Sequence, residues 1–268
     1  METKPNIIHR GKWEGQNFPN AFEAFRLYGG GVEADVMLLS DEKTLGVVHP
    51  ADFKMRDPDI ENMSPEIFAK LKVRAPDQIG GAAPFFREYV AGCYDRGIQV
   101  FFEAKGSTPE KAAQTARQIV VTIGDMRAEG AFKVQGKEPS RFIEQMGIHS
   151  FSPEAVMAAK KALEETGLTL RLGFTWLTSA EHVGKNPIAA SALRYYHEGD
   201  TWENAGLKAA HELGCNYVFF VEPGKMTPEL VHEAHEFGLE LYVFIRSGDN
   251  SEELCKRLTS MWVDKLLF

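Results

Sequence analysis

The sequence predicts an α/β chain and, within that class, a (β/α)8 barrel of the TIM type. Three observations carry this expectation. Eight short apolar segments alternate with stretches of helical periodicity over 268 residues, a length at which α/β barrels form one domain. Several segments, Tyr217-Val218-Phe219-Phe220-Val221 most clearly, are apolar at every position. Parallel strands covered on both faces read this way, whereas half-exposed antiparallel strands alternate. Helical starts repeat a Ser/Thr-Pro-Glu signature. A doubly wound open sheet is the alternative arrangement of the same elements.

Taken in order, the first strand is expected at residues 6–9, followed by the helical pattern Asn20-Ala21-Phe22-Glu23-Ala24-Phe25. The second and third are expected at 31–38 and 45–49. Residues 50–96 read as a longer βα connection, because their periodicity is weak and Asp57-Pro58-Asp59 and Gly80-Gly81 interrupt them. Within it, helices are expected near 64–71 and 84–94. The remaining strands are expected at 97–103, 146–150, 168–176, 216–222 and 239–246. Thr108-Pro109-Glu110 opens a helix, as do Ser152-Pro153-Glu154, closed by Gly167, and Thr227-Pro228-Glu229, closed by Gly238; Ser251-Glu252-Glu253 opens the last. In the Pro-containing starts the hydroxyl caps a free N–H and proline loses nothing at the first helical position. The carboxylate meets the positive helix end. No linker divides the chain, so residues 1–268 read as a single domain.

Charge and composition narrow the function classes. The formal net charge is -8, whereas nucleic-acid binders carry a basic excess, so no nucleic-acid partner is expected. No run approaches the length of a membrane span and Met1-Glu2-Thr3-Lys4-Pro5-Asn6 contains no apolar leader, so membrane insertion is not expected. Cys93, Cys215 and Cys255 are odd in number and far apart. They support neither a zinc knuckle nor a disulfide framework, and with the missing leader they point to the cytoplasm. Gly29-Gly30-Gly31 precedes a strand rather than a helix, which argues against a dinucleotide site.

The polar residues at the strand ends are more informative. His9 and Arg10 close the first segment, Glu33 and Asp35 lie in the second, His49 closes the third, and Glu103 and Lys105 end the fourth. Residues i and i+2 of a strand share a face, so Glu33 pairs with Asp35 and Glu103 with Lys105. Carboxylates buried together need compensating cations. Three carboxylates without cysteine suit an all-oxygen site for Mg²⁺ or Ca²⁺ rather than zinc. Two histidines suit acid–base work, and Arg10 and Lys105 suit an anionic oxygen such as phosphate. The constellation reads as metal-assisted attack on a phosphate ester.

The ordered set His9-Arg10-Gly11, Glu33-x-Asp35, Val47-Val48-His49 and Phe102-Glu103-Ala104-Lys105 resembles the glycerophosphodiester phosphodiesterase family. Ser150-Phe151-Ser152-Pro153-Glu154 and the stretch from Thr227 to Leu239 extend the likeness over nearly the whole chain. The resemblance implies a TIM barrel, a divalent metal (Mg²⁺ or Ca²⁺) on Glu33, Asp35 and Glu103, an acid–base pair of His9 and His49, and phosphate contacts from Arg10 and Lys105. The implied substrate is a small-molecule phosphodiester, cleaved to an alcohol and a phosphomonoester. Departures include Pro19-Asn20-Ala21 for the family's Pro-Glu-Asn-Thr and Phe244-Ile245-Arg246 for an aromatic-Thr pair. Relatives of that family act on lysophospholipids or on sugar phosphodiesters of the agrocinopine type, and both are alternative substrates. Another metal-dependent barrel, such as a sugar isomerase or aldolase, and a barrel that binds phosphodiesters without turnover are the competing functions. By position at later strand ends, His149, Trp176, Glu222 and Phe244 are expected to shape the pocket, Trp176 by stacking on a sugar or glycerol face and Glu222 by accepting hydroxyl hydrogen bonds.

Overall fold

Nine strands form one sheet in the computed structural model, which describes residues 7–8, 31–49, 59–71, 83–132, 138–177, 185–245 and 252–267. The strands are β1 (Ile7–Ile8), β2 (Gly31–Leu38), β3 (Leu45–Val47), β4 (Gln99–Ala104), β5 (Gly147–Ser150), β6 (Arg171–Trp176), β7 (Tyr217–Phe220), β8 (Glu240–Phe244) and β9 (Lys265–Leu267). The helices are α1 (Pro65–Phe68), α2 (Phe86–Arg96), α3 (Pro109–Ala128), α4 (Pro139–Gln145), α5 (Pro153–Thr166), α6 (Trp202–Glu212), α7 (Pro228–Glu236) and α8 (Glu252–Ser260).

The strand order is β1-β9-β8-β7-β6-β5-β4-β2-β3, and β1 also pairs with β2. All neighbours are parallel except β2 and β3. The sheet curls, so that Ile7 pairs with Leu267 on one side and with Gly31 on the other.

Two expectations about the sheet are corrected. The segment at 45–49 is not one of the parallel strands: β3 runs antiparallel to β2, with Val36 opposite Val47 and Leu38 opposite Leu45. Only residues 39–44 join them, too few for a crossover but enough for a hairpin. Asp41 closes that hairpin by accepting from Thr44 N at 2.9 Å and from Thr44 Oγ1 at 2.7 Å. The eighth parallel strand is instead β9, near the C-terminus, where no strand is expected from the sequence.

The capping logic holds. Thr108, Ser152 and Thr227 accept from the backbone N–H three residues on, at 3.3, 3.2 and 3.2 Å. Gly167 follows α5 at φ 62°, the left-handed conformation that a helix end requires and glycine takes at no steric cost. The expected helix at 20–25 lies outside the described residues.

Alternation along the strands separates two apolar layers. Val32, Ala34, Val36, Val100, Phe102 and Ile148 pack outward with helices α2, α3 and α5. Phe174, Trp176, Val218, Phe220, Leu241 and Val243 form the matching layer with α6, α7 and α8. The other parity fills the interior with Phe101, Tyr217, Phe219, Tyr242 and Leu267, with Phe244 packed against them. Beneath these rings, Arg171 pairs with Glu240 at 2.7 Å and Lys265 Nζ reaches Gln99 Oε1 at 2.8 Å.

Candidate metal centre

Strand register brings the acidic residues together. Asp35 lies opposite Glu103, and Glu103 lies opposite His149. Glu33 stands two residues before Asp35 and therefore on the same face. Glu33 is 1% exposed, Asp35 0% and Glu103 6%. One oxygen of each lies within 4.8 Å of the others. Lys105 N bonds to Val36 O at 2.9 Å, continuing the β4–β2 ladder, so the Lys105 side chain returns to the face of Glu103. Its Nζ sits 3.1 Å from Asp35 Oδ1 and donates to Glu103 Oε1. Burial alone would lower the ammonium pKa, but the charges of Asp35 and Glu103 outweigh it and hold it above the ordinary value.

The loop after Lys105 is pinned from the β3–α2 connection. Glu61 accepts from Ser107 N at 2.6 Å and from Ser107 Oγ at 2.5 Å. At Gly106 an added Cβ would lie 2.2 Å from Ala112 N, so only glycine lets the chain pass this close to the start of α3.

A divalent cation fits this donor set. Among the described residues the three buried carboxylates gather around a single ammonium, that of Lys105, and buried carboxylates need cationic compensation. The donors are all hard oxygens, as Mg²⁺ and Ca²⁺ require.

The other expected residues divide. His49 is half-buried just beyond β3, and the preceding Val48 N bonds to Asp35 O at 2.9 Å. His49 is thus tied through its neighbour to the acidic strand. His9 and Arg10 lie outside the described residues. Phe244 joins the interior aromatic group. Trp176 does not face the site. It is 1% exposed, its indole N–H donates to Trp202 O at 2.9 Å, and its ring packs 4.6 Å from that of Trp202. Thr175, of opposite parity, points inward instead. Glu222 follows β7 beside Lys225, 3.7 Å away, and lines a small cleft with Trp176 and Trp202, apart from the acidic cluster.

Two residues beside the cluster complete the described site. His149 is 3% exposed, with Nδ1 2.8 Å from Thr175 Oγ1 and Nε2 3.9 Å from Glu33 Oε1. His149 is among the residues expected at the pocket; Thr175 is not. Counting parity backward from Trp176, whose bulk suits the helix layer, would have found it.

An acidic, lysine-bridged centre inside a curled, mostly parallel sheet defines the class: an α/β protein with a buried carboxylate cluster compatible with a divalent cation. Neither a protein-family model nor a curated protein sequence matches the chain. Solved structures do. A Galdieria sulphuraria protein assigned as a glycerophosphodiester phosphodiesterase superposes with a TM-score of 0.67 at 18% identity, over 98% of this chain and 92% of that one. A glycerophosphodiester phosphodiesterase from Agrobacterium tumefaciens str. C58 gives 0.66 at 16% identity, over 99% and 96%. A further structure from that strain, assigned as a glycerophosphoryl diester phosphodiesterase, gives 0.66 at 15% identity, over 99% and 93%. This chain has their α/β fold over nearly its full length. No helix among the described residues is long and apolar enough to cross a membrane.

Proposed function

We propose that the chain is a closed (β/α)8 barrel that hydrolyses a small-molecule phosphodiester to an alcohol and a phosphomonoester, as glycerophosphodiester phosphodiesterases do. The observation that carries this reading is the buried gathering of Glu33, Asp35 and Glu103 around Lys105. Likeness in fold to the Galdieria and Agrobacterium structures supports it.

In this reading Glu33, Asp35 and Glu103 hold a divalent cation, Mg²⁺ or Ca²⁺. When bound, it supplies neutralisation of charge on a non-bridging phosphate oxygen. Lys105 and Arg10 contact the phosphate. Lys105 also holds the Asp35 and Glu103 carboxylates in place. His9 and His49 form the acid–base pair: one takes a proton from attacking water, the other gives one to the departing alkoxide oxygen. Phe244, packed against the interior rings, borders the substrate in this reading. Free Cys93, Cys215 and Cys255 suit a reducing cytoplasm.

The test is a panel of glycerophosphocholine, lysophospholipids and sugar phosphodiesters with Mg²⁺, Ca²⁺ or EDTA. Hydrolysis is expected with a metal and not with EDTA. Glu103→Gln should weaken metal binding, and His49→Ala should lower turnover about 10²–10⁴-fold. No hydrolysis of any diester with either metal would overturn the proposal.

A further inference from the structure

The polar layer beneath the interior rings sets an amine beside a guanidinium. Gln99, Arg171, Glu240 and Lys265 stand two residues before Phe101, Gly173, Tyr242 and Leu267, so they share the inward face near the start of their strands. Lys265 Nζ donates to Gln99 Oε1 at 2.8 Å and lies 4.9 Å from the centroid of the Phe101 ring and 5.5 Å from that of Tyr242. Among the described residues no carboxylate comes within ion-pair distance of it. Glu240 takes Arg171 Nη2 on one oxygen and the Tyr242 hydroxyl on the other, each at 2.7 Å. Asp264 turns its Oδ2 to Leu241 N at 2.9 Å and to His235 Nε2 at 2.8 Å.

The Arg171 guanidinium lies against the same Tyr242 ring, with Cζ 5.9 Å from the centroid. Its bonds to Tyr242 Oη and Glu240 use two of its five N–H groups. Such surroundings act against a second cation and in favour of an anion. Burial, and then Arg171, lowers the Lys265 pKa to about 8, against the opposing pull of Glu240 and Asp264. Burial raises the pKa of Tyr217 and of Tyr242, so both phenols remain uncharged beside it. A neutral amine keeps a nucleophilic lone pair, and Lys265 is only half-buried, within reach of a small dissolved molecule.

We propose that Lys265 is a modification site for carbon dioxide, forming a reversible carbamate whose negative charge the Arg171 guanidinium stabilises. The Nζ lone pair attacks the carbon of CO₂, an N–C bond forms, and one C=O electron pair moves onto oxygen. One Nζ proton leaves to water: Lys–NH₂ + CO₂ → Lys–NH–COO⁻ + H⁺. The N–H that remains on Nζ keeps Gln99 Oε1 as its acceptor. The site lies at the other end of the strands from Glu103 and Lys105 and does not depend on the proposed hydrolysis.

The full chain, equilibrated in isotopically labelled bicarbonate at pH ~8, where the amine is partly neutral, is trapped with triethyloxonium, digested and read by mass spectrometry. A labelled ethyl carbamate is expected on Lys265 and not on Lys256, an exposed lysine paired with Glu252. At constant dissolved CO₂ the labelled fraction should rise as pH climbs through about 8. Arg171→Gln removes the neighbouring charge; a pKa higher by about one cuts the neutral fraction at pH ~8 about fivefold, and the label should fall by that much or more. Arg171→Lys keeps the charge and should keep most of the label. Thermal melts establish that each variant is folded; should Arg171→Gln not fold, the selectivity and pH profile of the wild type decide. No label on Lys265, equal label on Lys256, or a profile flat across about pH 7–9 overturns the inference. So does label unchanged in folded Arg171→Gln, or lost as fully in Arg171→Lys.

Discussion

Replacing Lys105 by Met keeps an unbranched side chain one atom shorter and removes the ammonium that stands between Asp35 and Glu103. The lysine side chain is 16% exposed, those of Asp35 and Glu103 0% and 8%. Water therefore does little to screen the carboxylates once the cation is gone. Breaking a buried ion pair by removing one partner costs about 3–5 kcal/mol. At about 2–4 °C per kcal/mol for a chain of this size, the melting temperature should fall by roughly 6–20 °C. The pKa of Lys105 is held above its ordinary 10.5. Its contribution is thus complete below that value and is lost only as pH rises through the folded-state pKa, so a measurement at pH ~7 sees all of it. Calorimetric melts in EDTA and in excess Mg²⁺ give a second check. A bound ion at 100 times its Kd stabilises by about 2.7 kcal/mol. The more negative Lys105→Met site should bind the ion more tightly, so the gap from wild type narrows with Mg²⁺. A variant within about 2 °C of wild type in EDTA, or a gap that widens with Mg²⁺, would refute the reasoning.

Two further outcomes follow from the interior. A Cβ at Gly173 would lie 2.1 Å from the Tyr217 ring, which is itself stacked on Tyr242 at a centroid distance of 4.8 Å. Gly173→Ala should therefore cost about 1–3 kcal/mol through overpacking, and a wild-type urea midpoint would contradict this. Burial, with Arg171 nearby, pushes the pKa of Lys265 down to about 8 from 10.5. Between those values the unfolded chain binds more protons than the folded one. Wild type should therefore gain stability relative to Lys265→Gln as pH rises from about 8 to 10.5; a pH-independent difference would show the ammonium to be unperturbed.

Much of this site can be read in the sequence because a strand has a period of two. Glu33 with Asp35 and Glu103 with Lys105 share a face wherever their strands lie, and a parallel register then sets Asp35 beside Glu103. The same rule, applied to 168–176, would have sent Trp176 outward and Thr175 inward. Position at a strand's end was the weaker guide. The direction of β3 is not legible in the same way: an apolar run shows a strand but not its direction, and the short 39–44 connection is the signal for a hairpin. β9 was missed because Lys265-Leu266-Leu267 is too short a run to declare itself, and its pairing with Ile7 joins opposite ends of the chain.

By itself the sequence determined the local matters: the helix starts at Thr108, Ser152 and Thr227, most strand positions, and the chemical kinds of group brought to the site. Those follow from backbone sterics, capping and alternation, which act over a few residues. Tertiary structure alone decided that His149 leans on Thr175 and faces Glu33, that Tyr217 fills the space above Gly147 and Gly173, and that β9 lies between β8 and β1. Such contacts join residues distant in the chain, and their geometry is set only when the curled sheet brings the strands into register.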